Sequence, residues 1–130
     1  MKEPAWVLDS VVEALHEAQL DEHGGAPGLR DAGLLASALA RPCNRYAFGE
    51  GDLFGLAAAY AFGIARNHPF IDGNKRTAFL TALVFLRING FAFTAAEPDA
   101  VAKVLALAAG EMEEARFADW LRTFAVAKKA

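Results

Sequence analysis

One cysteine in 130 residues leaves this chain with no intrachain disulfide and no set of thiolates for a metal cluster. Cys43 alone fits a reducing compartment. Neither sign of charge dominates: 13 Lys and Arg against 16 Asp and Glu give a net charge of −3, which provides no general attraction to nucleic acid or to anionic membranes. The clearest basic clusters are Lys75-Arg76 and Lys128-Lys129. Long apolar runs are missing as well, since Ala78 to Leu86 is followed by Arg87 and Asn89 and falls short of a membrane span. Met1 to Trp6 carries Lys2 and Glu3 and lacks the apolar stretch of a signal peptide. Alternating, strand-like patterns are scarce. These absences lead to the expectation of a soluble, cytoplasmic protein with no direct nucleic-acid or membrane role, built as one domain over 1–130.

What is present is an apolar content of 55% arranged mostly at helical spacing. Trp6 to Leu20 places Val7, Val11, Leu15 and Ala18 near one helical face and stops at His23-Gly24-Gly25. Asp31 is an N-cap for a short helix through Leu34, Leu35, Ala38 and Leu39, which Pro42 should halt. Cys43 to Asp52 has no helical period and reads as a loop or a small hairpin. Asp52 then caps a helix over 53–66, which Pro69 prevents from continuing past His68. The next helix runs from about Asn74 to Ile88 and stops at Asn89-Gly90. Its apolar residues go nearly all the way round, so the spacing predicts a helix buried on most sides at the centre of the fold. After an extended link from Phe91 to Thr94 come helices over 98–109 and 113–124, the last with Phe117, Trp120, Leu121 and Phe124 at core spacing. The fold class is all-α, a bundle of about six helices around a buried central helix.

The loop between the two apolar helices holds the chemistry: Asn67-His-Pro-Phe-Ile-Asp-Gly-Asn-Lys-Arg76. A helix N-terminus entered through a glycine turn is a natural anion site, because its first N–H groups have no partner in the helix. Gly73 lets a phosphate approach the backbone, the Asn74 side-chain amide is a further donor, and Lys75 and Arg76 neutralise phosphate charge. A carboxylate among so many anion donors calls for a cation, so Asp72 is the candidate Mg²⁺ ligand. His68 is the one nearby side chain with a near-neutral pKa and the candidate general base for a protein hydroxyl. Phe70 and Ile71 are expected to anchor the loop in the core. Taken singly, each residue has a plainer reading: His68 a helix cap, Asp72 a turn or N-cap residue, Lys75 and Arg76 solvated charges. The combination favours a nucleotide site.

His68-Pro-Phe-Ile-Asp-Gly-Asn-Lys-Arg76 resembles the signature of the Fic/Doc family, in particular its Doc (death on curing) branch. The Gly-Gly, Gly-Leu-Arg-Asp and Leu-Leu-Ala-Ser-Ala-Leu segments within His16 to Pro42 are also similar to a Doc-type N-terminal half. The resemblance implies that His68 is the base, Asp72 the Mg²⁺ ligand, Gly73 and Asn74 the phosphate cradle, and Arg76 the holder of the nucleotide phosphates. AMP-transferring Fic enzymes usually have a second glycine where this chain has Lys75. In Doc toxins a lysine there goes with transfer of the γ-phosphate. The implied function is a protein kinase, the toxin of a type II toxin–antitoxin pair. It would use ATP and Mg²⁺ to phosphorylate a threonine of elongation factor Tu and so arrest translation. The alternatives are AMP transfer to a protein hydroxyl, or a silent module that binds an anion or partner.

Many Fic enzymes carry an inhibitory Ser/Thr-x-x-x-Glu-Gly/Asn helix. Here Glu50-Gly51 is preceded by Tyr46 at the hydroxyl position, so the pattern is missing. The resemblance therefore implies a separate, Phd-like antitoxin whose helical segment fills a groove near the site, and marks Asn44 to Gly51 as a candidate target-docking flap.

Overall fold

The computed structural model describes residues 3–95 and 97–128; Lys129 of the second basic cluster lies outside them. Among the described residues there are six helices and one small sheet. The helices are α1 Asp9–His23, α2 Ala32–Ala47, α3 Leu53–Asn67, α4 Asn74–Ile88, α5 Glu97–Ala109 and α6 Glu114–Phe124. Strands β1 Phe91–Phe93 and β2 Ala125–Ala127 pair antiparallel, with Ala92 opposite Val126. The expected all-α bundle is borne out, and the extended link after α4 is β1. Its partner β2 carries no strand pattern of its own. Thr94 N–H to the Phe124 carbonyl and Lys128 N–H to the Gly90 carbonyl, both 2.8 Å, close the two ends of the pairing.

The centre of the bundle is α3, and not α4 as the apolar pattern predicts. From Gly55 to Ala65 every residue except Phe62 is buried. Alanine and glycine leave little side-chain bulk on this helix, so neighbours close around it on all sides. Leu56, Tyr60 and Ile64 are its large fully buried side chains, each contributing about 2 kcal/mol of apolar burial. The Tyr60 hydroxyl accepts from Val7 N–H at 3.0 Å, and burial raises its pKa to about 12. Helix α4 buries Thr77, Ala78, Thr81, Ala82, Phe85 and Leu86, while Phe79, Leu80, Leu83 and Val84 stay only half-buried. Phe79, Leu80 and Leu83 of that second stripe line an open groove.

Helix α2 does not stop before Pro42. It runs on to Ala47, with Pro42 buried inside it. Proline cannot donate to the Ala38 carbonyl four residues back. That carbonyl instead lies against Gly63 of α3, so close that a Cβ on Gly63 would come within 3.0 Å of it. Tight α2–α3 packing thus outweighs the local helix-breaking rule. The expected loop or hairpin over Cys43 to Asp52 is correspondingly replaced by the last turn of α2 and a short turn. Asn44 to Ala47 of the candidate flap are helical, and Phe48 beyond them is 94% exposed. Arg41 and Arg45 then reach from α2 to Glu114 of α6, at 2.5 and 2.9 Å.

Asp31 and Asp52 cap as expected, accepting from Leu34 N–H and Phe54 N–H. Helix α1 starts later than its pattern suggests and buries Val12, His16 and Gln19, one residue off the expected face. No described helix is long and apolar enough to cross a membrane.

Candidate active site

Helix α3 ends at His68, which sits in the left-handed conformation at φ 50, ψ 56 and donates its N–H to the Ile64 carbonyl. It is the one non-glycine residue at positive φ among the described residues. A side chain held there costs about 1–2 kcal/mol, so the neighbouring structure must impose it. Arg30 does so from outside the helix, donating through Nε to the His68 carbonyl at 2.7 Å and through Nη2 to the Asn67 carbonyl at 2.8 Å. The backbone beside Arg30 is joined to the same loop. Arg30 and Asp31 N–H both donate to the Pro69 carbonyl, and Ile71 N–H donates to the Gly28 carbonyl. The Gly-Leu-Arg-Asp segment is therefore a splint for the loop.

Phe70 is buried as expected, but Ile71 is 56% exposed and anchors nothing in the core. Asn74 differs from its expected role too. It is buried, its Oδ1 accepts from Phe70 N–H and its Nδ2 donates to the Phe70 carbonyl, each at 2.9 Å. Its amide clasps the loop and is not a side-chain donor to a ligand; what it leaves for an anion is its backbone N–H.

Gly73 is the N-cap of α4 at φ 75, ψ 18, and no side chain caps this end. The N–H groups of Asn74, Lys75 and Arg76 have no acceptor within the helix. The left-handed φ at 73 favours glycine, and a Cβ there would also meet the Gln19 amide of α1. Asp72 does not cap α4; its Oδ1 accepts from Gly73 N–H at 2.9 Å and its Oδ2 from Ala26 N–H at 3.3 Å. Gly25 makes room for that carboxylate, since a Cβ there would meet Oδ2 at 2.9 Å. Asp72 is exposed, and lone pairs remain on both oxygens. Among the described residues no three His, Cys, Asp or Glu gather as a metal site. A single carboxylate beside an anion cradle fits Mg²⁺ carried in with phosphates better than a metal caged by protein.

Lys75 and Arg76 make no ion pair with any described residue. Lys75 and His68 line one cleft of about 570 Å³, walled by Ala102, Leu105, Ala106 and Ala109 of α5. Lys75 and Arg76 together end a second groove, about 700 Å³, between α1, α4 and α5. Partial burial, then the charges of Lys75 and Arg30, lower the His68 pKa below its ordinary value of about 6.5. A neutral imidazole at physiological pH is the form that accepts a proton.

Two residues absent from the expected site hold it together from α1. His16 Nε2 donates to the Asp72 carbonyl at 2.7 Å, and its ring stacks on Phe70 with centroids 3.8 Å apart. Gln19 covers Gly73. A His and a Gln on the buried stripe of α1 were the available signal, because polar groups rarely sit there without a task.

Fold and site together define a helical protein that presents an uncapped, glycine-entered helix N-terminus opposite a neutral histidine. The chain belongs to the Fic/DOC family, whose model matches residues 6–86. It is 40% identical over 110 residues to "Protein kinase doc" of Escherichia phage P1, covering 84% of this chain and 86% of that protein. It is 47% identical over 70 residues to "Toxin Doc" of Mycolicibacterium smegmatis, covering 52% of this chain and 53% of that one. The resemblance to the Doc branch read from the loop therefore holds.

Proposed function

We propose that this protein is a Doc-type toxin and an ATP-dependent protein kinase, acting in the cytoplasm on a threonine of elongation factor Tu. The observation that carries the reading is the place of Lys75, which lines the same cleft as His68 at the uncapped start of α4. In this mechanism the backbone N–H groups at Asn74 to Arg76 and the Lys75 and Arg76 side chains hold the ATP phosphates. His68 takes the proton as the threonine oxygen attacks the γ-phosphorus; the bond from that phosphorus to the β–γ bridging oxygen breaks and ADP leaves. Asp72 is the residue that would hold Mg²⁺, which supplies charge neutralisation at the phosphates when bound. The relatives' names, one a kinase and one a toxin, support the same reading.

The partner proposed for the larger groove is a Phd-like antitoxin. Leu15 and Ala18 of α1, Phe79, Leu80 and Leu83 of α4, and Val101 of α5 make an apolar trough suited to one face of a helix. Lys75 and Arg76 at its end put such a helix next to the phosphate cradle.

The test is transfer from ATP labelled at either the α- or the γ-phosphorus to elongation factor Tu. Label arriving from the γ position alone supports the kinase, and label from the α position replaces it with AMP transfer. No transfer from either position, with nothing changed by His68→Ala, leaves an anion- or partner-binding module.

A further inference from the structure

The peptide between Asp72 and Gly73 has two available orientations, and its surroundings select one. A trans peptide carries its C=O and N–H on opposite edges. Here the carbonyl of Asp72 faces α1, where His16 Nε2 meets it at 2.7 Å; a carbonyl only accepts, so His16 is the donor. The N–H of Gly73 consequently faces the other way, on the same turn as the uncapped α4 N-terminus, and rests on Asp72 Oδ1. Gly73 at φ 75, ψ 18 matches the third residue of a type II turn, and rotating the 72–73 peptide gives the type I form with negative φ. Glycine takes either form at little cost. In the rotated form the Asp72 carbonyl oxygen would point to the side where the N–H now points and bring its negative end beside the uncapped start of α4.

We infer that His16, with Gln19 one turn further along α1, is a positioning residue. It latches the Asp72–Gly73 peptide with its carbonyl turned to α1 and away from the anion cradle. Two features outside the hydrogen bond support this. His16 is 5% exposed and stacked on Phe70, which Asn74 holds by both backbone groups, so the donor is fixed in place. Gln19 is 3% exposed and has its amide laid over Gly73, with Nε2 making no hydrogen bond, which restricts where the glycine can move. The inference rests on the phosphate-cradle reading proposed above and adds what keeps that cradle electropositive.

The test compares His16→Phe, which keeps the stacked ring and removes the donor, with His16→Gln, which keeps a donor. Expected for His16→Phe are weaker binding of Mg-ATP, a kcat lower by about 100-fold, the size of effect of one misdirected dipole where charge develops, and an unchanged KM for the protein acceptor. Its crystal structure should have Gly73 at negative φ, and His16→Gln should recover most of the kcat. Wild-type kcat in His16→Phe, or a lost kcat with Gly73 still at positive φ, overturns the latch. If His16→Phe does not fold, His16→Gln decides: a large fall in kcat at an unchanged unfolding temperature overturns it as well. Wild-type protein that binds no Mg-ATP at all instead removes the nucleotide reading, and the latch with it, a result separable from any effect of the variants.

Discussion

His68 is held in a strained backbone conformation by two carbonyl contacts from Arg30, and beside it the chain keeps two cations that no described carboxylate neutralises. Both features make sense for a proton acceptor facing an anion. Because partial burial and the charges of Lys75 and Arg30 depress its pKa, His68 loses its proton below about pH 6.5. In the proposed kinase, kcat/KM should therefore rise with pH on an acid limb centred below that value and be flat at neutral pH. Lys75→Met removes one of the depressing charges, so the midpoint of the residual activity should move upward; an unmoved or lower midpoint would refute the coupling. His68→Ala should abolish transfer and relieve growth arrest in cells expressing the protein without its antitoxin, and persistent arrest would take His68 out of the mechanism. Asp72→Ala should weaken nucleotide binding in the presence of Mg²⁺ and leave the metal-free titration nearly as it was. An unchanged Mg-ATP titration would count against Asp72 as the ligand. At this scale the sequence was readable at the caps Asp31 and Asp52 and at the buried Phe70. Its reading of Asn74 failed, because the loop's own Phe70 backbone competes for that amide.

The elements that matter most to the site are α3 and α4, and their facing ends were legible because they depend on local rules. Pro69 stops one helix, Gly73 starts the next, and Asn89-Gly90 ends it. Asn74 ties the two ends into one rigid loop. Asn74→Ala leaves the Phe70 N–H and C=O buried without partners, which should cost about 2–4 kcal/mol, read as a lower midpoint in denaturant unfolding. A free energy of unfolding equal to wild type would mean that the clasp contributes little. Rules of the same local kind failed at Pro42, where the fit of Ala38 to Gly63 carries α2 a further turn. They also failed at β2, since Ala125 to Ala127 becomes a strand only by pairing with Phe91 to Phe93.

Over the whole molecule, α1 and the segment behind it serve the loop from one side while α5 walls the clefts on the other. The apolar groove joins both. Val101 is 39% exposed on its α5 wall and lines no part of the His68 cleft described above. Val101→Glu should lower affinity for the proposed antitoxin by about 10-fold, roughly 1.4 kcal/mol, without lowering the unfolding temperature. The readout is titration of a Phd-like partner, and growth arrest should then escape rescue by that partner; full affinity would place it elsewhere. The sequence by itself determined the helical class, the extents of α3 and α4, and the residue types of the loop, because periodicity, capping and proline geometry act over a few neighbours. Only the tertiary structure decided that α3 and not α4 is central, that Ile71 points to solvent, and that His16, Gln19 and Arg30 grip the loop. The grip on the loop depends on hydrogen bonds between residues 37 to 56 positions apart, which short-range spacing does not encode.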